Sequence, residues 1–430
     1  MKRMKKLSIL LLVSVQMSLN AQDFVINASR VNDLMTALSA FKEEDNNSRV
    51  AFSDADLEGR AFVMQKMKEA GLEVSIDFSG NIIGRRAGLD NSLKPIVLGS
   101  HIDTVPEGGD YDGCVGSMAA LEIAFTLQDL NITTRHPLEF IIYSNEEGGV
   151  MGSRALAGTL TEEAFKVVNS TGYSMGEGIV RLGGDPSRVK EVQRAEGSIA
   201  ASFELHIEQG ANLYQEDLEI GIVEGIVGID WYDFRFGGFA NHAGTTPMNN
   251  RRDALLAAAK FIQAVNEVAL SVEGRHVCTV GRIQALPGAP NVIPGVVNLS
   301  LEIRDLSSEK MKSLFDMILE RAKEIATASN VEVTYESIDA TGAPAMTDAS
   351  LKKIIEAQIN KKGYSYMYLP SGAGHDSQEM TRIGPAAMIF IPSVDGISHS
   401  PREYSTPKAI AQGTEVMFQT LLATDSSKKY

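Results

Sequence analysis

Residues 94–144 read KPIVLGSHIDTVPEGGDYDGCVGSMAALEIAFTLQDLNITTRHPLEFIIYS, and the order of textures in this stretch decides the fold. Segment 94–100 is a short apolar run that ends at His101, the pattern of a buried strand. Segment 117–130 has the small and apolar residues of a helix, and 138–144 is a second apolar run of strand length. Strand, helix and strand in that order form a βαβ unit. The expected fold class is therefore α/β, with a mixed, largely parallel sheet flanked by helices.

The neighbouring segments extend this frame. Residues 54–71 set Leu57, Phe62, Met64 and Met67 at helical spacing before a glycine stop, and 73–77 and 81–85 read as strands. Further strands are expected to end at 203–206 and 387–392. The middle of the chain has a different texture. Alternation with glycines over 220–236 suggests antiparallel strands, 253–268 and 308–329 read as helices, and 277–284 and 296–304 as strands. Two helices and about four strands predict a compact α+β unit inserted in the α/β domain, bounded near Glu224 and Ala340. The expected layout is a leader at 1–21, the main domain at 22–224 and 340–430, and the insert at 225–339.

A length of 430 residues exceeds one ordinary core, in agreement with two units. Hydrophobic residues at 44% and charged residues at 22% are ordinary globular values. A net charge of -15 argues against nucleic acid as a partner, and a small anionic substrate would need local arginines. The start, MKRMKKLSILLLVSVQMSLNAQ, joins a basic cluster to an apolar stretch and a small residue, Ala21. This predicts a cleavable signal peptide and export, to the periplasm. The stretch is short for a spanning helix and no lipobox cysteine is present, so no stable membrane anchor is expected. Cys114 and Cys278 are the two cysteines, too far apart for a disulfide framework.

The chemistry gathers at strand ends. His101 and Asp103 are two apart in SHIDTV, on one face of an extended segment. Asp112 lies in a glycine-rich loop before a helix, Glu146 and Glu147 close the strand LEFIIYS, His206 ends FELH, and His399 follows AMIFIP. Singly, each has a bland reading: a structural histidine, a solvated turn, or a helix cap for Asp112. Together they form an imidazole and carboxylate set, which suits a catalytic divalent metal better than a thiolate structural zinc.

The segments GSHIDTVPEGGDYDG, NEEG, ELHIEQG, FANHAGTTPM, GAPNVIPG, LEIRD, SGAGHD and SHSPREYS occur in one order along the chain. In this the sequence resembles the dinuclear amidohydrolases that include N-carbamoyl-L-amino-acid hydrolase, allantoate amidohydrolase and β-ureidopropionase, relatives of aminoacylase and carboxypeptidase G. The resemblance implies two divalent metal ions, Zn²⁺ first and Mn²⁺ or Co²⁺ as alternatives. His101 and His206 would hold one, Glu147 and His399 the other, with Asp112 bridging. Asp103 would orient His101 as a carboxylate behind the ligand, and Glu146 would be the general base. It also implies a homodimer built through the insert, with His242 reaching across to stabilise an oxyanion. Arg304 would grip a substrate carboxylate, although Asp305 could equally be its partner. Asn291 reads either as a substrate contact or as an Asx-turn. Gln209, Gly374 and His375 would be further substrate contacts.

The expected reaction is hydrolysis of a non-peptide C–N bond in an N-carbamoyl-L-amino acid or related ureido carboxylate, with allantoate as the second substrate. An aminoacylase or exopeptidase is the competing enzyme reading, which LHIEQG disfavours. A periplasmic ureido-acid binding protein is the competing non-enzyme reading, and it has no need of Glu146.

Overall fold

The computed structural model describes residues 24–43, 48–338 and 342–430. The predicted leader and the boundary near Ala340 lie outside them.

The stretch 94–144 folds as expected. Ile96–His101 and Leu138–Tyr143 are adjacent parallel strands, fully buried along their length, joined through the helix Cys114–Asp129. The helix starts three residues earlier than the expected 117 because Gly113, at a positive φ of 63°, turns the chain straight into it. Ala201–Ile207 pairs parallel with Ile96–His101, and Ala386–Ile391 pairs parallel with Ala201–Ile207. These four strands form the parallel centre of a nine-stranded mixed sheet. Glu73–Ile76 and Ile82–Arg86 extend one side antiparallel. Ile220–Ile226, Ala345–Met346 and Tyr366–Ser371 complete the other side. The long helix Pro407–Asp425, almost wholly buried, covers one face beside Cys114–Asp129 and the short helix Ala28–Leu38.

The segment expected to alternate over 220–236 divides between two sheets. Ile220–Ile226 stays in the large sheet, and Gly228–Gly237 enters a separate five-stranded antiparallel sheet. The expected single strand over 277–284 is two short ones, Val277–Thr279 and Ile283–Leu286, both against Val296–Asp305. Glu332–Ile338, a strand that was not expected, pairs with Gly228–Gly237. Helices Ala254–Ser271 and Ser308–Ala328 pack on this sheet around Phe234, Phe236, Phe261, Leu299, Leu301 and Ile318, a core separate from that of the large sheet. Ala254–Ser271 is long and apolar enough to cross a membrane, but it buries Phe261, Val265 and Val268 while exposing Lys260, Gln263 and Glu267, the pattern of an amphipathic core helix.

Candidate metal centre

In a parallel sheet all the strands finish at one edge, so residues just beyond those ends converge however far apart they lie in sequence. His101 closes Ile96–His101, His206 lies at the end of Ala201–Ile207, and Glu146, Glu147 and His399 follow Leu138–Tyr143 and Ala386–Ile391. Asp112 precedes the helix Cys114–Asp129, whose N-terminal N–H groups favour a carboxylate there.

Three groups of possible ligands have their donor atoms within 4.8 Å of one another among the described residues: Glu204–His206–His375, and two that share Asp112, His101–Asp112–His206 and Asp112–Glu147–His399, which are the two ligand groups of the centre. Asp112 belongs to both. Its Oδ1 lies 3.1 Å from His206 Nε2 and 3.6 Å from His101 Nε2, while its Oδ2 lies 3.3 Å from His399 Nε2. His399 Nε2 is 3.7 Å from Glu147 Oε2. The first group is fully buried, whereas His399 is about half exposed.

The imidazoles are oriented by backbone. His101 Nδ1 lies 3.0 Å from the Asp103 carbonyl and His206 Nδ1 2.9 Å from the Ile207 carbonyl. Carbonyls accept only, so each Nδ1 carries a hydrogen and each Nε2 is the atom turned toward the centre. This corrects the expected part of Asp103. Its carboxylate, 3.8 Å from His101 Nδ1, instead accepts the backbone N–H groups of Glu146 at 3.3 Å and Glu147 at 3.1 Å and so fixes the turn that carries both glutamates. Gly113 lies against the His101 ring, where a Cβ would come within 2.2 Å of Nε2. Asn145, Gln209 and His399 hold positive φ values of 50°, 56° and 50°, so part of the backbone strain of the described residues falls at the centre.

The charges are crowded. Burial raises the Asp112 carboxyl, but His206, His101 and His399 outweigh it and hold it well below the usual carboxylate range. Burial lowers His101, yet Glu146, Asp112 and Asp103 lift it well above the ordinary histidine range. Glu146 is pushed well up by burial against the pull of His101, with Asp376 and Glu147 adding to the rise. Glu147 is pushed up to about 7 by burial and then by Asp112. Such displaced titrations mark a functional site. His101 Nε2 and Glu147 Oε1 are buried without a hydrogen-bond partner. Orphaned donor atoms facing clustered carboxylates fit divalent cations: the ions would satisfy the orphans and offset the repulsion.

The remaining predicted residues separate. Gln209 Nε2 donates to Asp112 Oδ2 at 2.6 Å and lines a cavity of about 680 Å³ that opens beside His399, with Met367, Leu369, Gly372 and Arg275 further along. Arg304 reaches this region, donating from Nη1 to the Gly372 carbonyl at 2.6 Å. Its carboxylate partner is Glu302, at 2.9 and 3.0 Å, and not Asp305, which pairs with Lys310. His375 is a correction. It is buried, its ring edge-on to His206 with centroids 4.4 Å apart and its Nε2 bonded to Ser371 Oγ at 2.8 Å, so it braces a ligand from behind. The cavity takes Gly372 and Ala373 from that loop, and Gly374 is not in its lining.

His242 lies on a small exposed ribbon, Asn241–His242 against Val292–Ile293, where the Asn291 carbonyl accepts the Ala243 N–H at 3.0 Å. The two predicted residues are thus neighbours, through Ala243 and Val292, and neither belongs to a ligand group. His242 Nδ1 accepts from Gly244 N–H, which leaves Nε2 as the donor.

A parallel-centred α/β sheet with imidazole and carboxylate ligands at its strand ends defines a class, the metal-dependent hydrolases. The model of peptidase family M20/M25/M40 matches residues 97–423, and the chain belongs to that family. It is 40% identical over 379 residues to an N-carbamoyl-L-amino acid amidohydrolase of Geobacillus stearothermophilus, covering 87% of this chain and 92% of that one. It is 35% identical over 415 residues to a ureidoglycolate hydrolase of Arabidopsis thaliana, covering 93% of this chain and 87% of the other. A crystal structure of an amidase of the hydantoinase/carbamoylase family from Burkholderia multivorans superposes with a TM-score of 0.86 at 33% identity, over 94% of this chain and 98% of that chain. M20 enzymes use divalent metals, and the two ligand groups supply suitable donors.

Proposed function

We propose that this protein hydrolyses the carbamoyl or ureido C–N bond of a small carboxylate, with N-carbamoyl-L-amino acids as the first substrate class. The observation that carries this reading is the division of Asp112: one oxygen toward His101 and His206, the other toward His399, with Glu146 alongside. The Geobacillus relative supports the substrate class.

His101, His206 and Asp112 would hold one divalent ion, and Asp112, Glu147 and His399 the second. Zn²⁺ is the first choice, and the same donors suit Mn²⁺ and Co²⁺. When bound, such ions polarise a carbonyl and acidify water. Glu146, beside His101 and outside both ligand groups, takes the proton released on attack and returns it to the departing nitrogen. Glu302 occupies the Nε–Nη2 edge of Arg304 and the Gly372 carbonyl takes one Nη1 hydrogen, so a substrate carboxylate would meet the remaining Nη1 and Nη2 hydrogens. His242 completes the site from a second copy of the chain, its Nε2 donating to the oxyanion, which makes the working unit a homodimer. Signal cleavage and export to the periplasm belong to the same reading, and N-terminal sequencing of the periplasmic protein tests them.

The decisive assay offers the metal-loaded enzyme N-carbamoyl-L-amino acids, allantoate, ureidoglycolate and dipeptides. Turnover of the carbamoyl amino acids above the rest is expected. Turnover of dipeptides alone would overturn the substrate class.

A further inference from the structure

Glu403, in the segment SHSPREYS, is buried, and its carboxylate lies between the loops that carry Asp112 and His399. Oε1 accepts the backbone N–H groups of Tyr111 at 2.9 Å and Asp112 at 3.0 Å. Oε2 accepts Ser398 Oγ–H at 2.8 Å and the His399 N–H at 3.3 Å. Each oxygen therefore ties down one loop. Gly109 makes the approach possible, since a Cβ there would come within 2.1 Å of Oε1. Both oxygens accept, and four donors converge on the one carboxylate.

We propose that Glu403 is a positioning residue that sets the distance between Asp112 and His399 and so determines the affinity of the second ligand group, Asp112–Glu147–His399. Two of the three members of the first group are held without it, the shared Asp112 being the exception. His101 and His206 are buried, and each is anchored through Nδ1 to a backbone carbonyl. His399 is half exposed on a strained backbone, and its N–H bonds to Glu403. Loss of Glu403 thus acts unequally on the two groups.

This inference rests on the reading that the cluster holds two ions. The test is titration of metal-free protein with Mn²⁺ alone, followed by calorimetry and by electron paramagnetic resonance of the free ion, for the wild type and Glu403→Gln. The wild type is expected to take up two ions. Glu403→Gln keeps the shape but turns an NH₂ toward two donors. It is expected to lose the weaker site by about tenfold to a hundredfold, the usual effect of removing a group that orients a ligand. The stronger site, which shares only Asp112 with the Glu403 contacts, should lose clearly less, and the melting temperature of the metal-free protein should be unchanged. Two ions at unaltered affinities overturn the role of Glu403, and so does equal loss of both sites with a lower metal-free melting temperature. Fewer than two ions in the wild type overturns the dinuclear reading and this inference with it. Should Glu403→Gln not fold, Ser398→Ala removes one donor, and a smaller loss at the weaker site is expected. No loss there overturns the proposal.

Discussion

Glu146 Oε2 lies 3.6 Å from His101 Nε2, yet Glu146 belongs to neither ligand group. It is held at the edge of the cluster by the turn that the Asp103 carboxylate fixes. A carboxylate next to the centre and outside its ligand groups is placed to move protons. Glu146→Gln should therefore lower turnover by about 10²–10⁴-fold while metal content stays at the wild-type value. Activity at the wild-type level, or loss of metal along with activity, would remove Glu146 from the base role.

His242 offers a free Nε2 donor on an exposed ribbon, and no residue of that ribbon lines the cavity beside the ligands. If it acts on the second subunit, two inactive variants should complement. Mixing His242→Ala with Glu146→Gln under conditions that exchange subunits should restore activity, because each mixed dimer assembles one intact site. A mixture as inactive as its components, with exchange verified by sedimentation of tagged chains, rules out the shared site.

Gly113 has a φ of 63° and faces the His101 ring. Gly113→Ala adds about 1–2 kcal/mol of left-handed backbone strain and forces the imidazole aside. Metal analysis should find reduced uptake, with the loss led by the ion at His101 and His206. Full metal content in a folded Gly113→Ala protein would contradict the contact.

Asp56 belongs to neither ligand group; it is buried in the helix Asp54–Glu69 and bonded to the Phe52 N–H at 2.9 Å. Burial pushes its carboxyl up to about 6, against the pull of Arg60. The folded state therefore binds this proton more tightly than the unfolded chain does. The associated stability is present below the ordinary value of 3.8 and is lost as pH rises through about 6. The loss is on the order of 3 kcal/mol. Thermal unfolding between pH 4 and 6.5 should fall less steeply with pH in Asp56→Asn than in the wild type. Parallel curves would assign the slope to other groups.

Much of the centre is legible in the chain itself. His101, Asp112, Glu147, His206 and His399 lie at or beside strand-like runs, and parallel strands finish at one edge, so their convergence follows from the βαβ pattern. The second sheet is less legible. Residues 220–236 alternate throughout, and nothing in the alternation marks where Ile226 leaves one sheet and Gly228 enters another. The split depends on which neighbours are available for pairing, Ala345–Met346 and Tyr366–Ser371 on one side and Val296–Asp305 and Glu332–Ile338 on the other.

By itself the sequence determined the α/β class, the donor types and the strand ends that carry them, because these follow from local periodicity and side-chain chemistry. The tertiary structure alone decided how those groups are used. His101 takes its orientation from the Asp103 carbonyl and not its carboxylate, His375 is buried behind His206, and Glu403 bonds to Asp112, 291 residues away in sequence. Each of these outcomes depends on which buried donors and acceptors meet when the loops close over the sheet. That is a requirement of burial, where every polar group needs a partner, and it leaves no periodic trace along the chain.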